Sequence, residues 1–505
     1  MHFLWSLKGA KSRFMKALPN LINLGTLCVA ITITGLTACG SDDGKIALRG
    51  EGGAAGEGGV DFLPAGQGGD EPSSSPLGGD ADGGAKTTPN GGAGASGGDQ
   101  GGGGGFSPRV AGRGAVQIAV GTSAACVLLD SGAVRCWGGS GGGQLGHADE
   151  EDIGDDEIPF DASDVDVGGK ATQIVAGASH VCALLENGAV RCWGVAAELG
   201  YGNSNNIGDD ETPASAGDVD VGGKVIQLAA SERHTCALLV GGSVRCWGWG
   251  GYGELGYGNA ENIGDDETPA SAGDVDIGGK VTQIAAGSEM NCALLSTGAL
   301  RCWGIGGSGG LGYGNQFDIG DDETPASAGD VSVGGTVTQI AAGSSHACAL
   351  LSTGNVRCWG EANDGRIGYG NTVRIGDNET PASAGDLDMG GKVQALAVGG
   401  AHSCALLVDG SVRCWGAWNF GSLGYGNTDN VGDDETPAMA GDVDVGGPVK
   451  QLAAGGDRTC ALLTNGAVRC WGAGVLSVLG YPDAYPQLED IGDDETPASA
   501  GDVLY

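Results

Sequence analysis

The sequence is poor in several features that would each point to a particular class of protein. Lys and Arg number only 25 against 63 Asp and Glu, which gives a formal net charge of −38. A surface this acidic repels the phosphates of DNA and RNA, so we expect no nucleic-acid partner. Apart from one apolar run near the N-terminus, no stretch approaches the length needed to span a membrane. The chain also has no Cys-x-x-Cys spacing, which argues against a structural zinc site.

The N-terminal residues have the order of an export signal. Basic residues between positions 8 and 16 precede a mostly apolar run from Leu18 to Leu36, and Leu36-Thr37-Ala38-Cys39 has the form of a lipobox. Positive charge, an apolar core and small residues before the cut define a signal peptide. We therefore predict a lipoprotein signal peptide over residues 1–38 and lipidation of Cys39. An ordinary secretory signal, or an anchor that is never cleaved, is the alternative.

Residues 39–112 are of low complexity and rich in Gly. Such a segment has too little apolar surface to offset the entropy lost on ordering, and it predicts a disordered tether. We expect the protein to lie in the cell envelope, at the outer membrane or cell surface, and to touch the membrane only through its lipid.

The remaining residues, 113–505, contain one motif seven times. Its marker is Arg-Cys-Trp-Gly, and successive marker Trp residues are 56 positions apart except for one step of 54. Each repeat consists of short apolar or β-branched segments separated by Gly, Asn, Asp or Pro, without helical periodicity. Three or four short strands at this period predict one propeller blade per repeat. The sequence therefore predicts an all-β, seven-bladed β-propeller with about 56 residues per blade.

The two ends of the repeat region are complementary. Repeat 1 lacks the Thr-Pro-Ala-Ser-Ala-Gly-Asp-Val segment, and the chain ends with a spare copy of it at residues 496–503. We predict that this C-terminal segment pairs with the first repeat and closes the ring, which leaves few free strand edges. We expect a monomer.

The units resemble those of the regulator of chromosome condensation family. The resemblance rests on His-x-Cys-Ala-Leu-Leu, the Asn/Asp/Thr-Gly turn, Val-Arg-Cys-Trp-Gly and Leu-Gly-Tyr-Gly-Asn, and it covers residues 115–505. It implies a seven-bladed propeller. The family's eukaryotic namesake is a guanine-nucleotide exchange factor, and a secreted bacterial relative of similar fold inhibits β-lactamases with one propeller face. For this chain, nucleotide exchange and β-lactamase inhibition are alternative functions that only the resemblance implies.

Fourteen of the sixteen cysteines form seven Cys-x9-Cys pairs, one in each repeat. A hairpin with a three-residue loop places the two cysteines opposite each other, with Cα atoms about 4.5 Å apart. Because an exported protein meets an oxidising compartment, we predict seven disulfides within the blades, with buried free thiols as the alternative. The predicted pairs are Cys126 with Cys136, Cys182 with Cys192, Cys236 with Cys246, Cys292 with Cys302, Cys348 with Cys358, Cys404 with Cys414, and Cys460 with Cys470.

Two recurrent sets of side chains are candidate metal ligands, and each set also has a possible structural role. A His precedes the first Cys by two residues at positions 180, 234, 346 and 402. One His per blade is spread around a ring, so we predict a hydrogen bond to a neighbouring loop instead of a shared metal. The recurrent Ile-Gly-Asp-Asp-Glu-Thr-Pro segment is compatible with calcium, or with turn formation and solubility. We assign no metal ligand, no cofactor and no catalytic residue, and we predict that the chain is not an enzyme.

The loops between Trp-Gly and Leu-Gly differ in every repeat and emerge on one face of a propeller. Exposed aromatic residues and Arg are the usual anchors of a binding surface. We therefore predict partner-binding residues in these loops, namely Trp249, Tyr252, Arg366, Trp418 and Phe420. The alternative is that their rings cover neighbouring loops. The resulting hypothesis is an envelope-anchored, non-catalytic module that presents variable loops to a protein or glycan. Inhibition of a secreted enzyme such as a β-lactamase, and nucleotide exchange, are the alternatives.

Overall fold

The computed structural model describes residues 36–40, 46–50, 114–481 and 489–505, and the chain divides into two units, Met1–Gly101 and Gly102–Tyr505. In the first unit, strands Leu36–Gly40 and Ile46–Gly50 pair antiparallel, an element that the sequence did not predict. Most of the predicted signal peptide and tether lies outside the described residues, and lipidation of Cys39 stays a prediction. Among the described residues, no helix combines the length and the apolar character needed to cross a bilayer.

The second unit contains seven antiparallel sheets of three strands, and each sheet is built from a single repeat, which confirms the predicted propeller. The first strand of each blade lies nearest the axis, and the strands of this inner set are Ala115–Val120, Ala171–Ala176, Val225–Ala230, Val281–Ala286, Val337–Ala342, Val393–Val398 and Val449–Gly455. The middle strands are Ala124–Leu129, His180–Leu185, His234–Leu239, Met290–Leu295, His346–Leu351, His402–Leu407 and Arg458–Leu463. The outer strands are Val134–Gly138, Val190–Gly194, Val244–Gly248, Leu300–Gly304, Val356–Gly360, Val412–Gly416 and Val468–Gly472.

The burial pattern explains why these sequences form packed blades. All six residues of the middle strand His180–Leu185 are buried, because both sheet faces are covered by neighbouring blades. In the outer strand Val190–Gly194, only Arg191 is partly exposed. The marker Trp residues are fully buried, and Trp193 Nε1 donates to the Gln144 carbonyl of the preceding blade at 3.0 Å. Each marker Trp thus belongs to the core between two blades.

After each outer strand the chain returns along its own blade through two bridging contacts, an isolated bridge such as Gly138 with Ile153 and a backbone hydrogen bond such as Val165 N to Val134 O at 2.8 Å. Between these bridges, Thr-Pro-Ala-Ser-Ala forms a single helical turn, since Pro is preorganised for the first helical position. The one-turn helices in the described part of this unit are Pro213–Ala216, Pro269–Ala272, Pro325–Ala328, Pro381–Ala384, Pro437–Ala440 and Pro497–Ala500. The 3-10 turns are Pro159–Asp161, Ala196–Glu198, Asn363–Gly365, Asn419–Gly421 and Val475–Ser477.

The C-terminal segment reaches the first repeat as predicted, although its ladder pairing is different. Leu504 accepts a backbone hydrogen bond from Phe160 of the first repeat at 3.0 Å, a bond that corresponds to Ala214 N to Asp166 O between blades 2 and 1. Val503, however, bridges to Val468 of its own blade. This backbone hydrogen bond thus has an equivalent between every other pair of neighbouring blades, and no sheet is shared between the first and last repeats.

The seven predicted disulfides are present, which confirms the pairing inferred from the spacing. The cysteines of each pair are directly opposite in the register of the middle and outer strands, as Cys182 and Cys192 are, with Cα atoms 4.1 Å apart. The same arrangement recurs in the other six blades.

Candidate interaction face

One face of the propeller carries the variable loops of all seven blades. In each blade the turn between the inner and middle strands lies beside the loop that follows the outer strand. Trp249 N, for example, donates to the Arg233 carbonyl of that turn at 2.9 Å, and Val195 N donates to Ser179 O at 2.9 Å. We call this side, formed by residues 121–123, 139–152 and their equivalents, the loop face. The turns between the middle and outer strands lie on the opposite face.

The loop face surrounds a narrow axial opening. The seven inner turns line it, and its volume is about 90 Å³. Its polar side chains include Thr122, Glu232, Ser288 and Ser344, and the last two approach within 3.1 Å through their Oγ atoms. A space of this size is well below the usual volume of a ligand pocket.

Six of the seven variable loops have equal length, so the fifth residues after their marker Trp are equivalent; the one in blade 1 is buried, the one in blade 4 is partly exposed and the other four are exposed. We call these the tip residues, namely Gly142, Tyr252, Ser308, Asp364, Phe420 and Leu476. The next residue is Gly in five of these loops, and a Cβ at Gly421 would lie 2.5 Å from the Ile491 carbonyl oxygen of the next blade. This close approach holds the end of the loop against its neighbour, and in blades 3, 5 and 6 the tip residue before the Gly is exposed.

The tip residues include large apolar side chains in a constrained backbone. Tyr252 is 49% exposed and Phe420 is 50% exposed, and Leu476 is also exposed. Phe420 and Leu476 have φ values of 53° and 62°, and the tip residue Asp364 has φ 57°. A left-handed conformation is uncommon in residues other than Gly, and it persists only where the surroundings enforce it. These loops therefore hold their tips in fixed positions.

The five predicted partner-binding residues lie on the loop face, where three of them line two separate cavities and two line neither cavity. Arg366 and Phe420 line one cavity of about 360 Å³. Trp249 is half-buried and lines a second cavity of about 410 Å³. Tyr252 and Trp418 are exposed and line neither of these two cavities. Their role in binding stays a prediction.

A second variable loop on this face was missed by the sequence reasoning. The two residues after Tyr-Gly-Asn differ between repeats, and they include Phe317, which is 73% exposed, and the exposed Val373. This loop packs on the first one, as when Gly306 N donates to Asp318 Oδ1 at 2.8 Å. Exposed apolar residues thus occur in these loops in blades 3 to 7. The corresponding loops of blades 1 and 2 carry mostly Gly, Ser, Ala, Asp, Glu and Asn.

The four repeated histidines have the structural role that was predicted. The predicted bond to a loop or turn is present at Nδ1 of His180 with Glu198 (2.9 Å) and at Nδ1 of His234 with Ser231 (2.8 Å), and the Nε2 atoms of the four rings bond to strands of the next blade. Each ring donates or accepts through Nε2 to the residue directly after the equivalent position in the next blade. The Nε2 bonds join His180 to Thr235 at 2.8 Å, His234 to Asn291 at 3.0 Å, His346 to Ser403 at 2.9 Å and His402 to Thr459 at 2.7 Å.

The residue that accepts or donates the Nε2 bond in the next blade varies together with the histidine, and this covariation is visible in the sequence. Where the His is replaced by Met290, the next blade has Ala347, and after Ala124 it has Val181, so neither apolar residue faces a polar partner position. Burial lowers the pKa of His402 to about 4, so its ring is neutral at pH 7. The neutral histidine rings therefore serve to hydrogen-bond neighbouring blades to each other.

Arg458 occupies the histidine position in the last blade and lies at the seam with the first. Its Nε donates to Ala473 O at 2.7 Å, Nη1 to Thr122 O at 2.6 Å and Nη2 to Val475 O at 2.9 Å. Burial lowers the pKa of Arg458 to about 10, which leaves it charged at neutral pH. Since the first blade has Ala125 at the partner position, Arg458 bonds to backbone carbonyls instead.

The acidic segments form tight turns. Carboxylate oxygens of Asp209, Asp210 and Glu211 lie within 4.8 Å of one another, and equivalent groups recur in other blades. Asp210 N donates to Asp209 Oδ1 at 3.0 Å, which is a turn-forming bond. Burial raises the pKa of Glu211 to about 7. The hydrogen bonding accounts for the recurrence of Asp in these turns, and calcium binding stays a hypothesis.

Comparison with protein families identifies the repeat. The model of the Regulator of chromosome condensation (RCC1) repeat matches one segment in every blade, at residues 115–144, 171–195, 225–254, 281–309, 337–366, 393–421 and 449–475. A second model of the same repeat matches residues 241–294.

Curated relatives match most of the chain. The "Ultraviolet-B receptor UVR8" of Arabidopsis thaliana is 30% identical over 371 residues, which are 73% of this chain and 79% of that protein. The "E3 ubiquitin-protein ligase HERC2" of Homo sapiens is 28% identical over 354 residues, which are 69% of this chain but only 7% of HERC2.

Solved structures share the fold at low sequence identity. Yeast RCC1 (Prp20), solved bound to Kap60, superposes with a TM-score of 0.57 at 21% identity, covering 76% of this chain and 84% of that one. Human WBSCR16 gives a TM-score of 0.55 at 18% identity, over 73% of this chain and 93% of that one. The match in every blade and the extensive identity with UVR8 together show that this chain belongs to the RCC1 repeat family.

Proposed function

We propose that the chain is an envelope-anchored, non-catalytic interaction module that holds a protein partner on its loop face. The observation that carries this proposal is the set of large tip residues Tyr252, Phe420 and Leu476, exposed at equivalent positions around one rigid ring. Interfaces are anchored by a few aromatic and apolar residues at their centre, surrounded by polar contacts. Phe317 and Val373 extend this apolar surface across the middle blades.

The rigidity of the loops supports tight binding. A left-handed backbone at Phe420 and Leu476, and the packing of Gly421 against the next blade, fix the loops before a partner arrives. Loops that are already ordered lose little conformational entropy on binding, so more of the contact energy appears as affinity. The buried histidines are used to join blades, which supports a scaffold role for them instead of a chemical one.

The charge of the chain supports a partner with a basic surface. A net charge of −38 attracts positively charged proteins and increases their association rate. We expect the affinity to fall when the salt concentration rises from 50 to about 500 mM, because the Debye length shortens over this range. Affinity that is independent of salt would argue for an apolar contact alone.

Attachment to the envelope is proposed from the lipobox at Cys39 and from the disulfides. The chain has seven disulfides, and disulfides form and persist in oxidising compartments outside the cytoplasm. We expect the wild-type protein to incorporate a labelled fatty acid and to fractionate with membranes. The Cys39→Ser variant should lose the label, and labelling of that variant at wild-type level would exclude lipidation at this position.

The interaction is tested by cross-linking and pull-down of the intact protein from its own cells. The test variant is Tyr252→Ser/Phe420→Ser. The matched control is Val240→Ser/Val408→Ser, which removes two exposed apolar residues from turns on the opposite face. We expect the wild type and the control to enrich the same protein and the test variant to lose it. Equal enrichment by all three, or none by the wild type, would contradict the proposal.

A further inference from the structure

A cavity on the loop face between blades 5, 6 and 7 has the features of a specific pocket. Its volume is about 360 Å³, at the lower end of the range for small-ligand sites. Phe420, Val475 and Leu476 form an exposed apolar wall, and Arg366 lies in the same lining. We call this the blade 5–7 pocket. Its volume suits one large amino-acid residue.

Arg366 has unused hydrogen-bonding capacity in this pocket. Its Nε is buried and has no hydrogen-bond partner within the described part of the chain. Its Nη2 lies 3.6 Å from the exposed Asp364 Oδ2, which is too long for a hydrogen bond and makes a weak surface ion pair. A ligand acceptor would reach the exposed part of the Arg366 side chain, which is 21% exposed and whose ion pair with Asp364 is weak.

Comparison with blade 2 shows what is missing beside Arg366. The equivalent residue there is Glu198, whose Oε2 lies 2.9 Å from His180 Nδ1. In blade 5 the carboxylate is replaced by the guanidinium of Arg366, and His346 Nδ1 is buried without a partner among the described residues. Burial and the charge of Arg366 lower the pKa of His346 to about 3, so the ring is neutral and adds no charge. This corner of blade 5 lacks the hydrogen-bonded carboxylate found in blade 2, although the charge of Arg366 acts on Glu289 of blade 4 and offsets part of the rise that burial causes in the pKa of Glu289.

We propose that the blade 5–7 pocket binds the C-terminal residue of a partner protein, with an apolar side chain against Phe420, Val475 and Leu476 and the terminal carboxylate on Arg366. A C-terminal apolar residue carries both groups on one Cα, which matches an apolar wall beside a guanidinium. This inference rests on the proposed function and names the part of the partner that is recognised.

The neighbouring acids define what else the segment should contain. Arg458 lines the pocket as well, but its guanidinium is already bonded to three backbone carbonyls, and the two acids in the lining are Glu232 and Asp457. They disfavour a second negative charge near the bound carboxylate, and they favour Lys or Arg upstream of the C-terminus. The occupant is therefore an apolar C-terminus preceded by basic residues.

The test measures fluorescence polarisation of labelled peptides with the full chain. The first peptide is Gly-Lys-Gly-Lys-Gly-Leu with a free carboxylate, the second is its C-terminal amide, and the third ends in Gly instead of Leu. We expect the first to bind about tenfold more tightly than either of the others, as expected for a hydrogen bond to a charged group or for burial of one large apolar side chain. Equal affinity for acid and amide would overturn the proposal.

Three variants test the role assigned to Arg366. Arg366→Gln should abolish the difference between acid and amide. Asp364→Asn should tighten binding of the acid severalfold, since it removes a competing carboxylate and Asn also tolerates the left-handed backbone. The control is Arg374→Gln, because Arg374 is paired with Glu361 at 2.6 Å and does not line the pocket. The control should bind like the wild type.

The variants also remain informative if Arg366→Gln fails to fold, because Asp364→Asn predicts a change of opposite sign. Weaker acid binding by Asp364→Asn would contradict the proposal. If the pull-down enriches a partner and the peptides do not bind, the pocket inference fails while the interaction proposal stands. If the peptides bind as expected and the pull-down enriches nothing, the interaction proposal fails instead.

Discussion

Replacing Arg458 with Met tests how the last blade is joined to the first. The wild-type guanidinium donates to the carbonyls of Ala473, Thr122 and Val475, and Thr122 belongs to the first blade. Methionine has a similar length and no donors, so the substitution leaves these carbonyls without that partner.

The cost follows from the number of carbonyls affected. Each buried acceptor left unsatisfied costs about 1–3 kcal/mol, whereas removing a buried guanidinium recovers part of its desolvation penalty. Only Ala473 is buried, whereas Thr122 and Val475 are exposed and their carbonyls can bond to water, so we expect a loss of about 2 kcal/mol in the free energy of unfolding. The control Arg135→Gln removes a pair between Arg135 and the exposed Asp164 and should cost at most about 1 kcal/mol.

A rescue design makes the reasoning more specific. Arg458→His restores the residue found in four other blades, but Ala125 offers it no partner. Adding Ala125→Thr recreates the pair seen between His402 and Thr459, and Ala125 lies opposite Trp137 as Thr459 lies opposite Trp471. The double variant should be about 1 kcal/mol more stable than Arg458→His alone.

The assay is urea unfolding followed by Trp fluorescence, because the seven marker Trp residues are buried in the folded ring. The midpoint and slope give the free energy of unfolding for each variant. If Arg458→Met is as stable as the wild type, or if Ala125→Thr adds nothing to Arg458→His, the seam does not depend on these hydrogen bonds and the reasoning is refuted.

Three further predictions address the disulfides and the histidines. Exported, unreduced protein unfolded in denaturant should show at most two reactive thiols, at Cys28 and Cys39, and about fourteen would rule out the disulfides. Removing one disulfide as Cys182→Ala/Cys192→Ala should cost at most about 3 kcal/mol, measured by urea unfolding, and a larger loss would show that the hairpin needs its crosslink to form. The folded pKa of His402, about 4, lies below the unfolded value of 6.5, so the stability that the neutral ring contributes is present above pH 6.5 and is lost as the pH falls towards 4. The stability advantage of the wild type over His402→Gln should shrink by about 2 kcal/mol between pH 7 and 5, and a constant difference would refute the lowered pKa.

The fold was predictable from the sequence because its determinants are local and repeated. The Trp spacing set the number of blades, and the Cys spacing within a hairpin set the disulfides. The way the ring closes was harder to predict, because the C-terminal segment makes two different contacts. Val503 completes the last blade, and the next residue, Leu504, bonds to the first blade. The spacing alone did not separate these two contacts.

The candidate site was predictable only in part, because its geometry depends on contacts between blades. Variation between repeats singled out Tyr252 and Phe420, which are exposed as expected for binding residues. It did not show that Arg366 points into a cavity with a buried, unpaired Nε. Phe317 was missed because the loop after Tyr-Gly-Asn was not recognised as part of the loop face, which it joins by packing on the first variable loop of the same repeat.

Because every blade takes all its strands from one repeat, the polypeptide has no privileged starting point within the ring. A gene that began at another repeat boundary would encode the same strand pairs and the same crosslinks. Whole repeats can therefore be exchanged by recombination without separating the strands of a sheet. The condition is that a histidine meets a polar residue at the partner position of the next blade. Each repeat carries its own variable loops, so exchanging repeats changes the order of the loops around the ring and can produce a new binding surface.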